Sequence, residues 1–261
     1  MFLERLSVFG VLCLFLLSFS SLAARENFLL LDAQTGKVMQ AIGDDIDMRV
    51  SPCSTFKIAL SLIGFDMRVL QDEEHPTFPF NEKYYCFLDS WRADQVPSSW
   101  MKVSCVWFSQ VLAEQLGLEN MQSYLDQFQY GNCDLTGDPG KDNGLMRAWL
   151  SSSLKISPRE AVNFLKKLIR KELPVSAHAM QMTRNILFLG ELPDGSRLYG
   201  KTGLGNAGAE ELGWFVGWVD KGEESYVFAY NIQAQRVDPA LRIPRVKHLL
   251  HEAGVILRLR I

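Results

Sequence analysis

A serine and a lysine three residues apart form the most reactive pair of side chains in this 261-residue chain. They are Ser54 and Lys57, in the segment SPCSTFK. A serine hydroxyl is a weak nucleophile until a base takes its proton, and a lysine one helical turn away lies on the same face. Residues 58–65 are almost all apolar, which predicts a buried helix beginning at Ser54. Its first backbone N–H groups would favour the anion formed when Ser54 attacks a carbonyl carbon.

The Ser-x-x-Lys spacing is weak evidence by itself, because it occurs three times in the chain. The three pairs are Ser54/Lys57, Ser99/Lys102 and Ser152/Lys155. Only the first pair opens a strongly apolar helix, which would remove its lysine from water. We therefore favour Ser54 and Lys57 as the reactive pair.

Composition indicates an ordinary globular protein with a substantial core. Hydrophobic residues make up 48% of the chain and charged residues 22%. A formal net charge of −3 and the lack of a basic cluster argue against binding to nucleic acid.

The N-terminus resembles a secretory signal peptide. Arg5 precedes an apolar run at residues 6–19, and small residues follow at 20–24. We predict a signal peptide over residues 1–24, cleaved after Ala23 or Ala24, and a periplasmic location; the alternative is an uncleaved membrane anchor. Cleavage leaves four cysteines, which we expect as free thiols although an oxidising compartment permits disulfides. These are Cys53, Cys86, Cys105 and Cys133.

Strands are predicted at both ends of the chain. The predicted strands lie at 27–32, 37–41, 197–203, 211–219 and 225–232, followed by a helix at 239–253. The fold class is α/β of the α+β type, with one antiparallel sheet built from both chain ends and flanked by helices.

The middle of the chain is predicted to be mostly helical. The clearest helices are at 106–116, 119–128 and 158–173, the last with Ser157 as its cap and Pro158 at its first position. After the leader we divide the chain into a sheet-plus-helix domain, 25–66 and 190–261, and a helical region, 67–189. Together they form one catalytic unit, with the site expected at the junction.

Three further motifs accompany the reactive pair. Lys201-Thr202-Gly203 lies on a predicted strand, Ser104-Cys105-Val106 opens a helix, and Tyr130-Gly131-Asn132 lies in a loop. Each motif alone is weak, since a Lys-Thr-Gly segment is more often a plain turn. Their order and spacing along the chain carry more information than any one of them.

Taken jointly, the motifs resemble those of the penicillin-recognising serine enzymes. Within that group the chain resembles the class D β-lactamases, or oxacillinases, over nearly all residues beyond the leader. Further matching segments are Ala148-Trp149-Leu150, residues 213–218 and Leu241-Arg242. A class A enzyme would have Ser-Asp-Asn in place of Ser104-Cys105-Val106.

The resemblance implies a role for each matched residue. Ser54 would attack the β-lactam carbonyl carbon, with the N–H groups of Ser54 and Leu204 as oxyanion hole. Ser104 and Lys201 would pass a proton to the leaving nitrogen. Substrate binding is implied for Thr202, Gly203, Leu204 and Arg242. Arg236 and Arg245 are alternatives to Arg242. Tyr130 and Asn132 would shape the cleft.

The resemblance also implies that Lys57 carries a carboxyl group. Phe56, Val106, Trp149 and Leu150 would enclose Lys57 in an apolar pocket. Burial lowers the pKa of a lysine by up to about 3–5 units, and a neutral amine can add carbon dioxide. The carbamate, held partly by Trp149, would then be the base for acylation and deacylation. We expect no cofactor besides CO2 or bicarbonate and no metal; His248 and His251 are more simply an exposed polar face.

The leading functional hypothesis is hydrolysis of penicillin-type antibiotics, which gives resistance. The alternatives are the β-lactam-sensing domain of a receptor, a peptidoglycan D,D-peptidase, and a secreted protein of this fold without activity. Expected partners are small β-lactams, with no nucleic acid and no membrane after signal cleavage, and the protein is a monomer or homodimer. The range of β-lactams and the oligomeric state are left open by the sequence.

Overall fold

The computed structural model describes residues 24–257. The predicted signal peptide, including Cys13, lies outside these residues except for Ala24. In the part of the chain that is described, no helix is both long enough and apolar enough to cross a membrane.

A six-stranded antiparallel sheet forms the centre of the molecule. Its strands are β1 (Arg25–Asp32), β2 (Val38–Ile42), β3 (Phe188–Glu191), β4 (Arg197–Ala207), β5 (Glu210–Lys221) and β6 (Glu224–Ala234). Their order across the sheet is β2-β1-β6-β5-β4-β3. Because β1 pairs with β6, the N-terminal hairpin joins the C-terminal strands, which confirms the prediction of one sheet built from both chain ends.

Alternating side chains on β5 face two separate cores. Trp214 and Trp218 are buried in the larger core, whereas Phe215 and Val219 are buried in the smaller one. The smaller core is closed by the last helix of the chain, which places apolar residues such as Val246 against the sheet. Trp214 and Trp218 thus belong to the core.

Helices cover both faces of the sheet. They are α1 (Lys57–Asp66), α2 (Pro97–Val103), α3 (Val106–Leu116), α4 (Leu118–Phe128), α5 (Gly144–Arg147), α6 (Pro158–Ile169), α7 (Ala177–Ile186) and α8 (Arg242–Glu252). The predicted helices at 106–116 and 119–128 are confirmed to within one residue. Helix α8 begins three residues later than the predicted start at 239.

Helix α6 begins as predicted but ends earlier. The hydroxyl of Ser157 accepts a hydrogen bond from the Glu160 N–H at 3.2 Å, and the Glu160 carboxylate accepts one from the Ser157 N–H at 2.9 Å. This reciprocal pair caps the first turn of the helix. The predicted end at residue 173 was wrong, because Lys171 has a left-handed φ of +57°, which stops the helix near Ile169.

Candidate active site

Ser54 lies on a tight 3₁₀ turn, Cys53–Phe56, that leads directly into α1. The sequence placed the start of the α-helix at Ser54, whereas α1 begins at Lys57. Cys53 has a left-handed φ of +51°, and the N–H and hydroxyl of Thr55 both donate to the carbonyl of Pro52, at 3.1 and 2.7 Å. These bonds tighten the first turn and hold Ser54 at its edge.

The side chains of Ser54 and Lys57 meet at this turn. Lys57 Nζ lies 3.4 Å from Ser54 Oγ, and Lys57 is only 1% exposed. Burial lowers the pKa of Lys57 from 10.5 to about 7. The nearby thiols of Cys53 and Cys105 supply no countercharge at neutral pH, because burial raises the pKa of each to about 11. A large share of Lys57 is therefore a neutral amine near pH 7.

Aromatic side chains enclose the segment next to Lys57. Phe56 stacks on Trp149 with ring centroids 5.2 Å apart. Trp149 is fully buried, and its indole N–H has no hydrogen-bond partner in the described structure. A buried donor without a partner is costly, so this position suits an added acceptor group. Val106 and Leu150 are half-buried members of the predicted pocket and pack against the same core.

Ser104 lies at the junction between α2 and α3. It ends α2 in a left-handed conformation, with φ +61°, and is half-buried. The next residue, Cys105, is fully buried in the same core as Phe56, the residue before Lys57. The junction thus anchors the Ser104 segment in the core next to Lys57.

The edge of β4 faces the Ser54 turn. β3 pairs with only residues 197–199 of β4, which leaves the rest of that edge without a neighbouring strand. The N–H of Asn206 points to this edge, since it donates to Ser151 Oγ at 2.9 Å. N–H groups two residues apart on a strand point the same way, so those of Thr202 and Leu204 also face the cleft.

Gly203 permits the close approach of β4 to the turn. A Cβ atom at this position would lie 3.1 Å from the carbonyl oxygen of Pro52 and 3.3 Å from Thr55 Cγ2. A larger residue would push β4 away from Ser54. The glycine of the Lys-Thr-Gly motif is thus explained by packing.

Two further basic side chains lie buried in the cleft. Lys201 is 5% exposed and donates to the Thr202 carbonyl at 3.0 Å. Burial, together with the charges of Lys57 and Arg242, lowers the pKa of Lys201 well below its ordinary value. Arg242 is 8% exposed and donates to the carbonyl oxygens of Gly203 and Trp214.

No carboxylate balances this positive charge. Within residues 24–257, Lys57, Lys201 and Arg242 form no ion pair. Buried cations without partners attract an anionic ligand. The cleft is therefore suited to a substrate that carries a carboxylate.

The two alternatives to Arg242 are placed differently. Arg245 forms a two-pronged ion pair with Glu26, with distances of 2.7 and 2.8 Å. Arg236 is exposed. Only Arg242 of the three donates to the β4 backbone next to the Ser54 turn.

Tyr130 and Asn132 serve the architecture of the cleft. Tyr130 is buried with its ring 5.6 Å from that of Phe56, and burial raises the pKa of its hydroxyl. The side chain of Asn132 accepts from the Lys155 N–H at 2.8 Å and donates to the Ser153 carbonyl at 2.9 Å. Both side chains are thus engaged in packing or backbone contacts.

A cavity of about 490 Å³ extends from the cleft beside Lys201 and Thr202. Its walls also include Met101 and Phe188, so it offers apolar surface next to the cations. A wider depression of about 890 Å³ lies around residues 132–142 and 151–155 and contains none of the four predicted catalytic residues.

The other sequence features have structural roles. The look-alike residues Lys102 and Lys155 are exposed. His248 lies 3.2 Å from Glu252 on the outside of α8, and no group of three metal-binding side chains exists among residues 24–257. All four cysteines in this range are free thiols.

Sequence reasoning missed two serines that connect the parts of the site. The Ser51 hydroxyl donates to the Trp149 carbonyl at 2.8 Å and accepts from the Ser151 N–H at 2.9 Å. The Ser151 hydroxyl in turn accepts from Asn206 on β4. Neither serine belongs to a motif, and their partners are about 50 to 100 residues away, so no local pattern could reveal them.

Comparisons with known proteins agree with this geometry. Residues 27–249 match the family described as penicillin binding protein transpeptidase domain. The β-lactamase OXA-1 of Escherichia coli is 40% identical over 205 residues, which cover 77% of this chain and 73% of OXA-1. The crystal structure of the OXA-427 class D β-lactamase is 39% identical, with a TM-score of 0.83, covering 88% of this chain and all of that one. The methicillin resistance mecR1 protein of Staphylococcus aureus is 34% identical over 72% of this chain, which covers 30% of that longer protein.

Proposed function

The chain belongs to the class D serine β-lactamases, and from this membership we propose that it hydrolyses penicillin-type antibiotics through an acyl-enzyme on Ser54. The observation that carries the proposal is the contact between the buried amine of Lys57 and the hydroxyl of Ser54, 3.4 Å apart. A nucleophile next to a neutral amine, in a cleft that attracts a carboxylate, fits β-lactam hydrolysis.

Lys57 is proposed to carry a carboxyl group derived from CO2. Its neutral amine would attack the carbon of CO2, forming an N–C bond while one C–O electron pair moves to oxygen and a proton leaves the nitrogen. The unpartnered indole N–H of Trp149 would donate to the new carboxylate, and Phe56, Val106 and Leu150 would limit access of water. The carbamate supplies a general base for both halves of the reaction.

In acylation, Ser54 Oγ attacks the lactam carbonyl carbon and passes its proton to the carbamate of Lys57. The carbonyl oxygen becomes negative and is stabilised by the N–H groups of Ser54 and Leu204. The lactam C–N bond then breaks, and the nitrogen takes a proton from the Ser104 hydroxyl. Ser104 would regain a proton from Lys201, and the carbamic acid formed at Lys57 would return its proton to Lys201, which restores the carbamate. Burial lowers the pKa of Lys201, which makes it a better proton donor than an ordinary lysine.

Substrate orientation is assigned to the cationic side of the cleft. The substrate carboxylate would bind the hydroxyl of Thr202 and the guanidinium of Arg242, which is already fixed by its bonds to Gly203 and Trp214. Deacylation requires a water molecule to attack the ester carbon, after which Ser54 leaves with its proton restored. The product is the ring-opened acid.

Nitrocefin turnover by purified mature protein, with and without added bicarbonate, tests the proposal. We expect turnover that bicarbonate increases in CO2-depleted buffer, and none in Ser54→Ala. One equivalent of acylation without turnover would instead identify a receptor domain or a D,D-peptidase. Turnover that does not depend on bicarbonate, even after decarboxylation at low pH, would exclude the carbamate as the general base.

We further propose that the enzyme acts in the periplasm after removal of residues 1–24, as the family membership and the N-terminal sequence suggest. Osmotic shock should release the activity with the periplasmic fraction. N-terminal sequencing of that material should begin at Ala24 or Arg25. Activity that stays with the membrane pellet would point to an uncleaved anchor.

A further inference from the structure

We propose that Ser51 is a positioning residue that fixes Trp149 for carboxylation of Lys57. This inference rests on the proposed function, because it concerns the carbamate assigned there. Ser51 touches neither the nucleophile nor the substrate cleft in this assignment. It acts through the backbone that directly follows Trp149.

The Ser51 hydroxyl is buried and uses both its donor and an acceptor site. It donates to the Trp149 carbonyl at 2.8 Å and accepts from the Ser151 N–H at 2.9 Å. One side chain thus holds the two peptide groups that flank residue 150. The segment has irregular geometry here, since Ser151 has a left-handed φ of +57°.

Ser51 is itself held against the reactive turn. Its carbonyl oxygen accepts from the indole N–H of Trp214 on β5 at 2.9 Å. The next residue, Pro52, receives both hydrogen bonds of Thr55, which follows Ser54. The hydrogen bonds of the Ser51 hydroxyl therefore fix the distance between the Ser54 turn and the Trp149 segment.

The position of Trp149 matters because its indole N–H has no hydrogen-bond partner within the described structure. An indole donor stabilises a carboxylate only from a narrow range of positions. Loss of the Ser51 hydroxyl would leave the Trp149 carbonyl and the Ser151 N–H without this partner, and the segment would shift to find new ones. The affinity of Lys57 for CO2 should then fall, while the reactive groups themselves remain.

The test measures carboxylation directly. Protein is titrated with ¹³C-bicarbonate in the absence of substrate, and the carbamate carbon signal is followed by NMR. Ser51→Ala should raise the bicarbonate concentration for half-carboxylation by about fivefold or more. Ser51→Thr, which keeps the hydroxyl, should restore it. At saturating bicarbonate, the kcat of Ser51→Ala should recover most of the wild-type value.

Ser153→Ala is the matched control. The Ser153 hydroxyl also joins two backbone groups in this region, donating to the Asp134 carbonyl at 2.9 Å and accepting from the Gly137 N–H at 2.8 Å. Because it does not contact Trp149 or Ser151, its loss should leave carboxylation unchanged.

The results distinguish a failure of the Ser51 role from a failure of Lys57 carboxylation. A carbamate signal in wild type with an unchanged midpoint in folded Ser51→Ala overturns the role of Ser51 alone. No carbamate signal in wild type overturns carboxylation itself and the role of Ser51 with it. If Ser51→Ala does not fold, Ser51→Cys takes the same test, because it keeps the volume but bonds weakly.

Discussion

The amine of Lys57 and the hydroxyl of Ser54 lie 3.4 Å apart at the start of a buried helix. The contact joins a potential base that is buried to a potential nucleophile that is half-buried at the edge of the cleft. Because no carboxylate compensates the lysine within residues 24–257, burial rather than pairing controls its protonation. The same two residues therefore explain both the reactivity of the site and its dependence on pH.

Removal of Lys57 should stop the reaction at the acyl-enzyme. In Lys57→Ala we expect deacylation of benzylpenicillin to slow by about 10²–10⁴-fold, the usual contribution of a general base. Mass spectrometry should show the penicilloyl adduct persisting for many minutes. Lys155→Ala, which alters an exposed look-alike pair with Ser152, should clear the adduct at the wild-type rate. Rapid clearance in both variants would show that Lys57 is not the base for deacylation.

Carboxylation should weaken steeply in acid. A protonated amine cannot attack CO2, and the pKa of Lys57 is about 7. The CO2 concentration needed for half-maximal ¹³C signal should therefore rise sharply below pH 7. An equal CO2 requirement at pH 6 and pH 8 would contradict an amine with this pKa.

The same pKa makes folding stability depend on pH. In CO2-free buffer the folded pKa of Lys57 is about 7 and the ordinary value is 10.5, so between these values the unfolded chain binds more protons. The contribution of Lys57 to the free energy of unfolding must rise with pH across that window. Urea unfolding should show that Lys57→Met raises the free energy of unfolding above that of wild type by more at pH 7 than at pH 10. Lys155→Met, at an exposed site, should show no such trend.

Arg242 should control substrate affinity. Loss of a charged hydrogen-bond partner costs about 1.5–3 kcal/mol, so Arg242→Ala should raise KM for penicillins about 10–100-fold. Arg245→Ala should change KM little, since Arg245 is paired with Glu26. Steady-state kinetics of the two variants decides between the arginines. Equal KM values in Arg242→Ala and wild type would show that Arg242 does not bind the substrate.

The features that could be predicted from the sequence are those that depend on the pattern of neighbouring residues. The helix Val106–Leu116 and the cap at Ser157 follow from apolar spacing and capping residues, and the apolar setting of Lys57 follows from its neighbours. Strand β3 was not predicted, because it has four residues and two exposed apolar side chains. The bond from Ser51 to Trp149 joins residues 98 apart, and such a contact depends on the fold as a whole.

All four cysteines should be free thiols, and the two buried ones should be unreactive. Cys53 and Cys105 are buried, and the pKa of each is about 11, so neither should react with Ellman's reagent in the folded protein at pH 8. After unfolding without reductant, the mature protein should release four equivalents of the coloured thiolate. A lower count that reductant restores would reveal a disulfide.

The Tyr130-Gly131-Asn132 motif should act on stability rather than on chemistry. Gly131 has a φ of +58°, and a Cβ atom there would lie 2.0 Å from the carbonyl oxygen of Lys155, a backbone atom that cannot move away freely. Gly131→Ala should therefore cost about 2–4 kcal/mol in the free energy of unfolding.

Gly140→Ala separates this clash from the cost of the backbone conformation. Gly140 has a similar φ of +72° but open space around its Cα, so the same change should cost only about 1–2 kcal/mol. Denaturant unfolding gives both values, and turnover per folded molecule should stay near wild type in each variant. If Gly131→Ala instead keeps its stability and loses turnover, the glycine serves the reaction directly. The motif would then have a catalytic role rather than a structural one.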